Sequence, residues 1–173
     1  SLRSESTVIG LKENSNGQSG VVYVRTVGFN QHGVAVLDYV RWVMVRKARI
    51  DAPAPDPVVP DLAKVVAPTD LVIPQGLDFT HYDFTLAGEP HRWGDYTVGE
   101  VIDHVDGVTV EEAEHMLATR LWQNTSKVHF DVTQREDGKR LIYGGHVISL
   151  ARTLSFNGLA NAQMVVALNA GAH

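Results

Sequence analysis

No cysteine occurs in the 173 residues of this chain, which excludes disulfides, thiol catalysis and thiolate metal sites and suits a reducing cytosol. Basic charge is in short supply as well. Lys and Arg number 15 against 20 Asp and Glu, a net charge of -5, so the electrostatic footprint of a nucleic-acid binder is missing. No apolar run is long and unbroken enough to span a bilayer, and no signal peptide is visible. The expectation is a soluble, cytoplasmic protein without nucleic-acid or membrane partners. An initiator Met is lacking too: the chain opens Ser1-Leu2-Arg3 and closes, over residues 163–173, on strand-like sequence with no turn signal. It is expected to be a piece of a longer polypeptide.

The 44% of hydrophobic residues can build a sizeable core, although the chain is too short for a large multi-layer enzyme. Residues 7–13, 20–29 and 34–47 are rich in Val, Tyr and Thr and are separated by Asn14-Ser15-Asn16-Gly17 and Asn30-Gln31-His32-Gly33, which are turn chemistry. This predicts an antiparallel meander of three strands. In the last of them Ala35, Leu37, Tyr39, Val43 and Val45 alternate with Val36, Val40, Trp42 and Met44, so both faces are apolar and a central strand is expected. Six of the seven prolines then fall between Pro53 and Pro74, a density that prevents regular helix or central strand and favours an extended connector.

From Trp93 the pattern changes. Residues 99–108 suggest a strand, and Thr109-Val110-Glu111-Glu112 has the form of a capping box for a helix running to about Gln123. Val110, Ala113, Leu117 and Leu121 form its expected buried stripe, with Glu111, Glu114, His115 and Arg120 outward. Glu111 and His115 share a face at i, i+4, but no third ligand stands at a recognisable spacing and no metal is expected. Asp137-Gly138 marks a tight turn. Residues 147–162 carry Val147, Ile148, Leu150, Leu154, Phe156 and Leu159 on every face, which predicts a helix buried on all sides, wrapped by sheet. A lone His129, then Tyr143-Gly144-Gly145-His146, then this apolar helix is a layout suited to handling a thioester.

The strand, capped helix, His-containing loop, Gly-Gly turn and apolar helix resemble the MaoC-like hydratases, a branch of the hot-dog fold in which a curved antiparallel sheet wraps a central helix. Leu121-Trp122-Gln123-Asn124-Thr125-Ser126-Lys127-Val128-His129-Phe130-Asp131 and Leu141-Ile142-Tyr143-Gly144-Gly145-His146-Val147-Ile148-Ser149-Leu150-Ala151-Arg152 carry the resemblance. With Glu13-Asn14-Ser15-Asn16-Gly17 and the run from Val40 to Lys47, they are similar to a two-repeat branch that interconverts mesaconyl-CoA and beta-methylmalyl-CoA. The resemblance implies an α+β, hot-dog architecture, part of a double hot-dog. Residues 1–50 would be the closing strands of a first repeat, 51–92 a proline-rich linker, and 93–173 the opening of a second. It also implies an enoyl-CoA hydratase or dehydratase with coenzyme A as part of the substrate and no separate cofactor. A homodimer is expected, because hot-dog sheets commonly pair edge to edge.

Adding water across a double bond conjugated to a thioester needs a base, an acid for the alpha carbon and donors for the charge that develops on the thioester oxygen. By resemblance His129 matches the family's catalytic His, while Asn124 takes the place of its Asp, Ser126 of an Asn and Lys127 of a Pro. Gly145 matches the helix-start residue whose N–H receives the thioester oxygen. Gly144, His146, Lys127 and Arg120 are candidates to bind substrate, the two cations through a second carboxylate. Each has a structural reading beside the functional one: a hydrogen-bonded histidine, a C-terminal helix cap at Asn124, turn glycines, a solvated lysine. Asp131 is expected to be a structural acceptor. A hot-dog thioesterase and a non-catalytic acyl-CoA-binding module are the alternatives.

Overall fold

The computed structural model describes residues 1–162 and divides the chain into two compact units, Ser1–Val66 and a second beginning at Ala67. The strand expected over residues 163–173 lies outside the described residues. In the first unit β1 (Arg3–Glu13), β2 (Ser19–Phe29) and β3 (Ala35–Arg46) form an antiparallel meander in the order β1-β2-β3. The two turns are built as the sequence predicts. Asn16 Oδ1 accepts from the N–H groups of Gln18 and Ser19, Asn30 Oδ1 from those of His32 and Val34, and Gly17 and Gly33 take φ of 64° and 77°, where glycine has no Cβ penalty. Across the strands Arg25 grips Asp38 at 3.0 and 2.6 Å.

Among the described residues the third strand is not central. Both hairpins join consecutive strands, so β2 occupies the centre and β3 an edge, and every residue of β3 is exposed, Trp42 to 47% and Met44 to 63%. Its two apolar faces meet no further layer among the described residues. The connector begins against β1, where Val58 and Leu11 exchange backbone hydrogen bonds of 2.8 Å in each direction. Residues 51–66 group with the sheet, and 67–92 belong to the second unit.

That unit contains a short α1 (Phe84–Ala87), α2 (Glu112–Leu121) and α3 (Gly144–Leu154), joined by turns and 3-10 segments. Asp83 caps α1 by accepting from the Thr85 and Leu86 N–H groups. Downstream, a polar clasp ties this segment to the chain that follows α3. The buried Glu89 carboxylate accepts the Gly158 N–H at 2.7 Å, Asn161 donates to the carbonyls of Glu89 and His91, and Tyr82 and Tyr96 hydroxyls bond Asn161 and the Gly158 carbonyl.

Three sequence expectations are corrected here. Residues 99–108 form no strand: Asp103 turns back to the Val105 N–H, and Asp106 and His104 bond Asn157, so side chains take hydrogen bonds that a ladder would need. The capping box does not close, because α2 starts from Glu111 with no side-chain cap and Glu112 pairs with Arg140 instead. On α2, Glu111, Glu114 and Arg120 are exposed as expected, but the buried face is not the expected apolar one. Leu117 and Leu121 are 70% and 68% exposed while His115 and Thr119 are 3% and 0% exposed. The partner of α2 is the polar backbone leading into α3, which draws the polar face inward.

The apolar helix is shorter and barer than its composition predicts. Ser155 caps α3 by sending its N–H to the carbonyls of Ala151 and Arg152, the Phe156 N–H bonds the Thr153 carbonyl, and Gly158 at φ 89° turns the chain into the 3-10 segment Ala160–Ala162. Val147 is 46% and Ile148 68% exposed, because no strand occurs among the described residues of this unit to cover them. No helix among the described residues is long and apolar enough to cross a membrane.

Candidate functional site

The C-terminus of α2 sets the site's first edge. Gln123 takes φ 52°, its N–H bonds the Arg120 carbonyl, and the Asn124 N–H bonds the Thr119 carbonyl at 3.0 Å, the double closure of a Schellman motif. Asn124 Oδ1 then accepts the Ser126 N–H at 2.9 Å, which swings the chain into a 3-10 turn over Lys127–His129. The Leu141 N–H donates to the Val128 carbonyl at 2.9 Å, and His129 Nδ1 lies 2.8 Å from the Leu141 carbonyl. A carbonyl can only accept, so Nδ1 carries the proton, and in the neutral ring Nε2 is the nitrogen with the lone pair. His129 is half-buried.

Opposite it stands the start of α3. Tyr143 is the N-cap, and His146 and Val147 bond its carbonyl; helix geometry leaves the Gly144 and Gly145 N–H groups outside the intrahelical ladder, at the positive end of the dipole. The Tyr143 ring folds back over this turn. A Cβ on Gly145 would sit 2.6 Å from Tyr143 Cζ, so glycine is what lets that ring lie there. The same ring is 5.6 Å from the His129 ring. Two further histidines complete the cluster: His115 lies 6.5 Å from His129 and 5.7 Å from His146, centroid to centroid. His146 is buried, and its Nε2 has no hydrogen-bond partner among the described residues.

Burial lowers the pKa of His115 below the ordinary histidine value, helped by His146, His129 and Arg140 and opposed by Glu112. Its Nε2 accepts the Tyr143 N–H at 2.9 Å. Asp131 accepts from the Thr133 N–H and hydroxyl and from Gln134, and these bonds, with Lys127 nearby, hold its carboxyl below the usual range.

The structure thus brings His129, Gly145 and His146 into one cluster. Asn124 sits in the turn that delivers His129, Lys127 opens that turn with an exposed side chain, Gly144 begins α3, and Arg120 is exposed in the last turn of α2. Sequence reasoning placed His115 outward, quoted Tyr143 only as part of a motif and missed the half-buried Arg140. The i, i+4 pair His115 and Thr119 was a usable signal, a polar stripe on the face opposite the apolar one. Among the described residues no group of three or more His, Asp and Glu has a metal-holding arrangement.

Comparison with known proteins decides the family. No family model matches the chain. Over 172 residues, 99% of the chain, it is 81% identical to a protein from Cereibacter sphaeroides named mesaconyl-CoA hydratase. Over 175 residues it is 57% identical to one from Chloroflexus aurantiacus named beta-methylmalyl-CoA dehydratase. A crystal structure of a Chloroflexus aurantiacus protein described as a MaoC domain dehydratase superposes over 97% of the chain and 49% of its own, with 56% identity and a TM-score of 0.90. The chain belongs to the MaoC-like hot-dog family. A Mycobacterium tuberculosis protein with a double hot-dog fold superposes over 95% of this MaoC-like chain and 50% of its own, at 24% identity and a TM-score of 0.54, which supports the fold alone. The chain spans about half the length of the curated relatives it matches, 50% of each.

Proposed function

We propose that this MaoC-like chain carries a hydratase/dehydratase site that adds water to, or removes it from, an enoyl-CoA thioester, with mesaconyl-CoA and beta-methylmalyl-CoA as the pair. The observation that carries the reading is the His129 Nδ1 to Leu141 carbonyl contact of 2.8 Å, which makes Nε2 the basic nitrogen of the neutral ring, beside the N-terminus of α3. The names of the relatives supply the substrate. His129 Nε2 takes a proton from water as oxygen bonds the beta carbon. The electron pair moves to the thioester oxygen, which the Gly145 N–H and the positive end of α3 receive. The imidazolium then returns the proton to the alpha carbon. One histidine serves both transfers, because the amide of Asn124 exchanges no proton at neutral pH; Asn124 holds the turn that aims it. His146, with its buried unpaired Nε2, and Gly144 contact the acyl thioester, and Lys127 or Arg120 holds the second carboxylate. Adding or removing water is redox-neutral overall, and coenzyme A enters as part of the substrate. We further propose a cytoplasmic homodimer in which residues 1–50 close one hot-dog repeat, 51–92 connect, and 93–173 open the next.

The test follows the conjugated enoyl absorbance with mesaconyl-CoA and with crotonyl-CoA, which lacks the second carboxylate. The parent protein should change that absorbance without releasing free thiol. His129→Ala should lower turnover by about 10²–10⁴-fold, the scale of a lost general base, and Lys127→Met should slow mesaconyl-CoA selectively. Release of free coenzyme A would make it a thioesterase, and binding without turnover an acyl-CoA-binding module.

A further inference from the structure

Of the groups that the proposed reaction leaves unused, His115 is the most tightly built in. It is 3% exposed and lies on α2, yet its Nε2 receives the N–H of Tyr143, the N-cap of α3, at 2.9 Å. Thr119 sits 3.3 Å from the same nitrogen but gives its hydroxyl proton to the His115 carbonyl at 2.7 Å, so the Tyr143 N–H is the proton that Nε2 holds. Tyr143 in turn touches both halves of the site. Its ring stands 5.6 Å from His129 and lies where a Cβ on Gly145 would be, 2.6 Å from Cζ.

We propose that His115 is a positioning residue: by accepting the Tyr143 N–H it fixes the first turn of α3, and with it the spacing between the His129 ring and the Gly145 N–H. A buried N–H left without an acceptor must turn to find one, and turning Tyr143 carries both its ring and the peptide that leads to Gly145. The acceptor has to be an unprotonated imidazole nitrogen, since an imidazolium would point an N–H at an N–H. Burial, with His146, His129 and Arg140 and against the pull of Glu112, lowers the pKa of His115, in agreement with that requirement. Arg140 and Glu112 pair with one another beside it and tie the same two segments together from the solvent side. The catalytic half of the proposal rests on the hydratase reading; the structural half does not.

The experiment compares His115→Gln, whose Oε1 can accept the Tyr143 N–H, with His115→Leu, which fills the space and accepts nothing. In the parent protein ¹⁵N imidazole spectra should show His115 neutral with the proton on Nδ1. Amide spectra should show Gly144, Gly145 and His146 displaced in His115→Leu and close to the parent in His115→Gln, with β1–β3 unchanged in both. On mesaconyl-CoA, kcat should fall by about 10²-fold in His115→Leu, the scale of a 1 Å misplacement, with KM little altered and with most of the loss recovered in His115→Gln. Equal behaviour of the two variants, a protonated His115 at neutral pH, or a loss confined to KM overturns the positioning role. If the parent turns over no enoyl-CoA the hydratase reading fails, and the amide and imidazole spectra decide the proposal by themselves.

Discussion

His115 and His129 are the same residue type one short loop apart, and their surroundings give them opposite hydrogen-bonding patterns. His129 gives its Nδ1 proton to a carbonyl at 2.8 Å and keeps a half-exposed lone pair, whereas His115 buries its lone pair against an N–H at 2.9 Å. The second arrangement has a pH signature. The folded pKa of His115 lies below its unfolded value of about 6.5, so between the two the unfolded chain binds more protons and stability rises with pH. The contribution is complete above about pH 6.5 and is lost as pH falls through the folded pKa. His91 works the other way: Glu89 raises its pKa, so its contribution is present at low pH and fades as pH rises through the raised value. Comparing the parent with His115→Gln removes the shared His91 effect. Urea midpoints of the two should diverge below about pH 6.5, the parent losing more, and parallel pH profiles would show that His115 does not titrate on unfolding.

At the scale of elements, the β2–β3 hairpin gives the cleanest measure of local coding. A Cβ on Gly33 would meet nothing within 4 Å, and its φ is 77°, so Gly33→Ala changes backbone preference alone. It should cost about 1–2 kcal/mol by urea midpoint, and Gly33→Asn less, because Asn tolerates the left-handed region; equal costs would mean that the turn relaxes. Such turns and the three strands were legible because their signals are local: an Asn side chain two to four residues from the N–H it caps, a glycine where φ is positive, apolar residues at period two. The Gly-Gly opening of α3, the turn at Asp137-Gly138 and the end of α2 near Gln123 were legible for the same reason. What was not legible depends on partners. The apolar stripe of α2 pointed Leu117 inward, but a stripe says only which face seeks apolar company, and the neighbour supplied by the Tyr143 backbone is polar and selects His115. Residues 99–108 have strand composition and, among the described residues of their unit, no strand beside them. Tyr143 stood in the sequence as one letter of a motif; that its ring covers Gly145 is a rotamer, which no spacing encodes.

The whole molecule is an assembly of faces. No apolar side chain among the described residues is buried, and Val36 and Met44 on β3, Leu117 on α2 and Ile148 on α3 are exposed to between 55% and 70%. A domain of this length ordinarily buries about 70% of the surface of its unfolded chain. The curated relatives are twice as long, and a hot-dog fold places an apolar helix against a sheet. In the chain as it stands Ile148 is 68% exposed, so Ile148→Lys should shift stability by no more than about 0.5 kcal/mol, as for an ordinary surface position. The parent should bind an apolar dye such as ANS strongly, and Ile148→Lys less so. Its urea transition should be shallow, near or below the low end of the ~1–3 kcal/mol/M range for small proteins, because unfolding uncovers little apolar surface. A steep transition, no dye binding and collapse of the fold in Ile148→Lys would together place α3 inside a closed sheet, since a lysine forced into an apolar interior leaves an unpaired charge there.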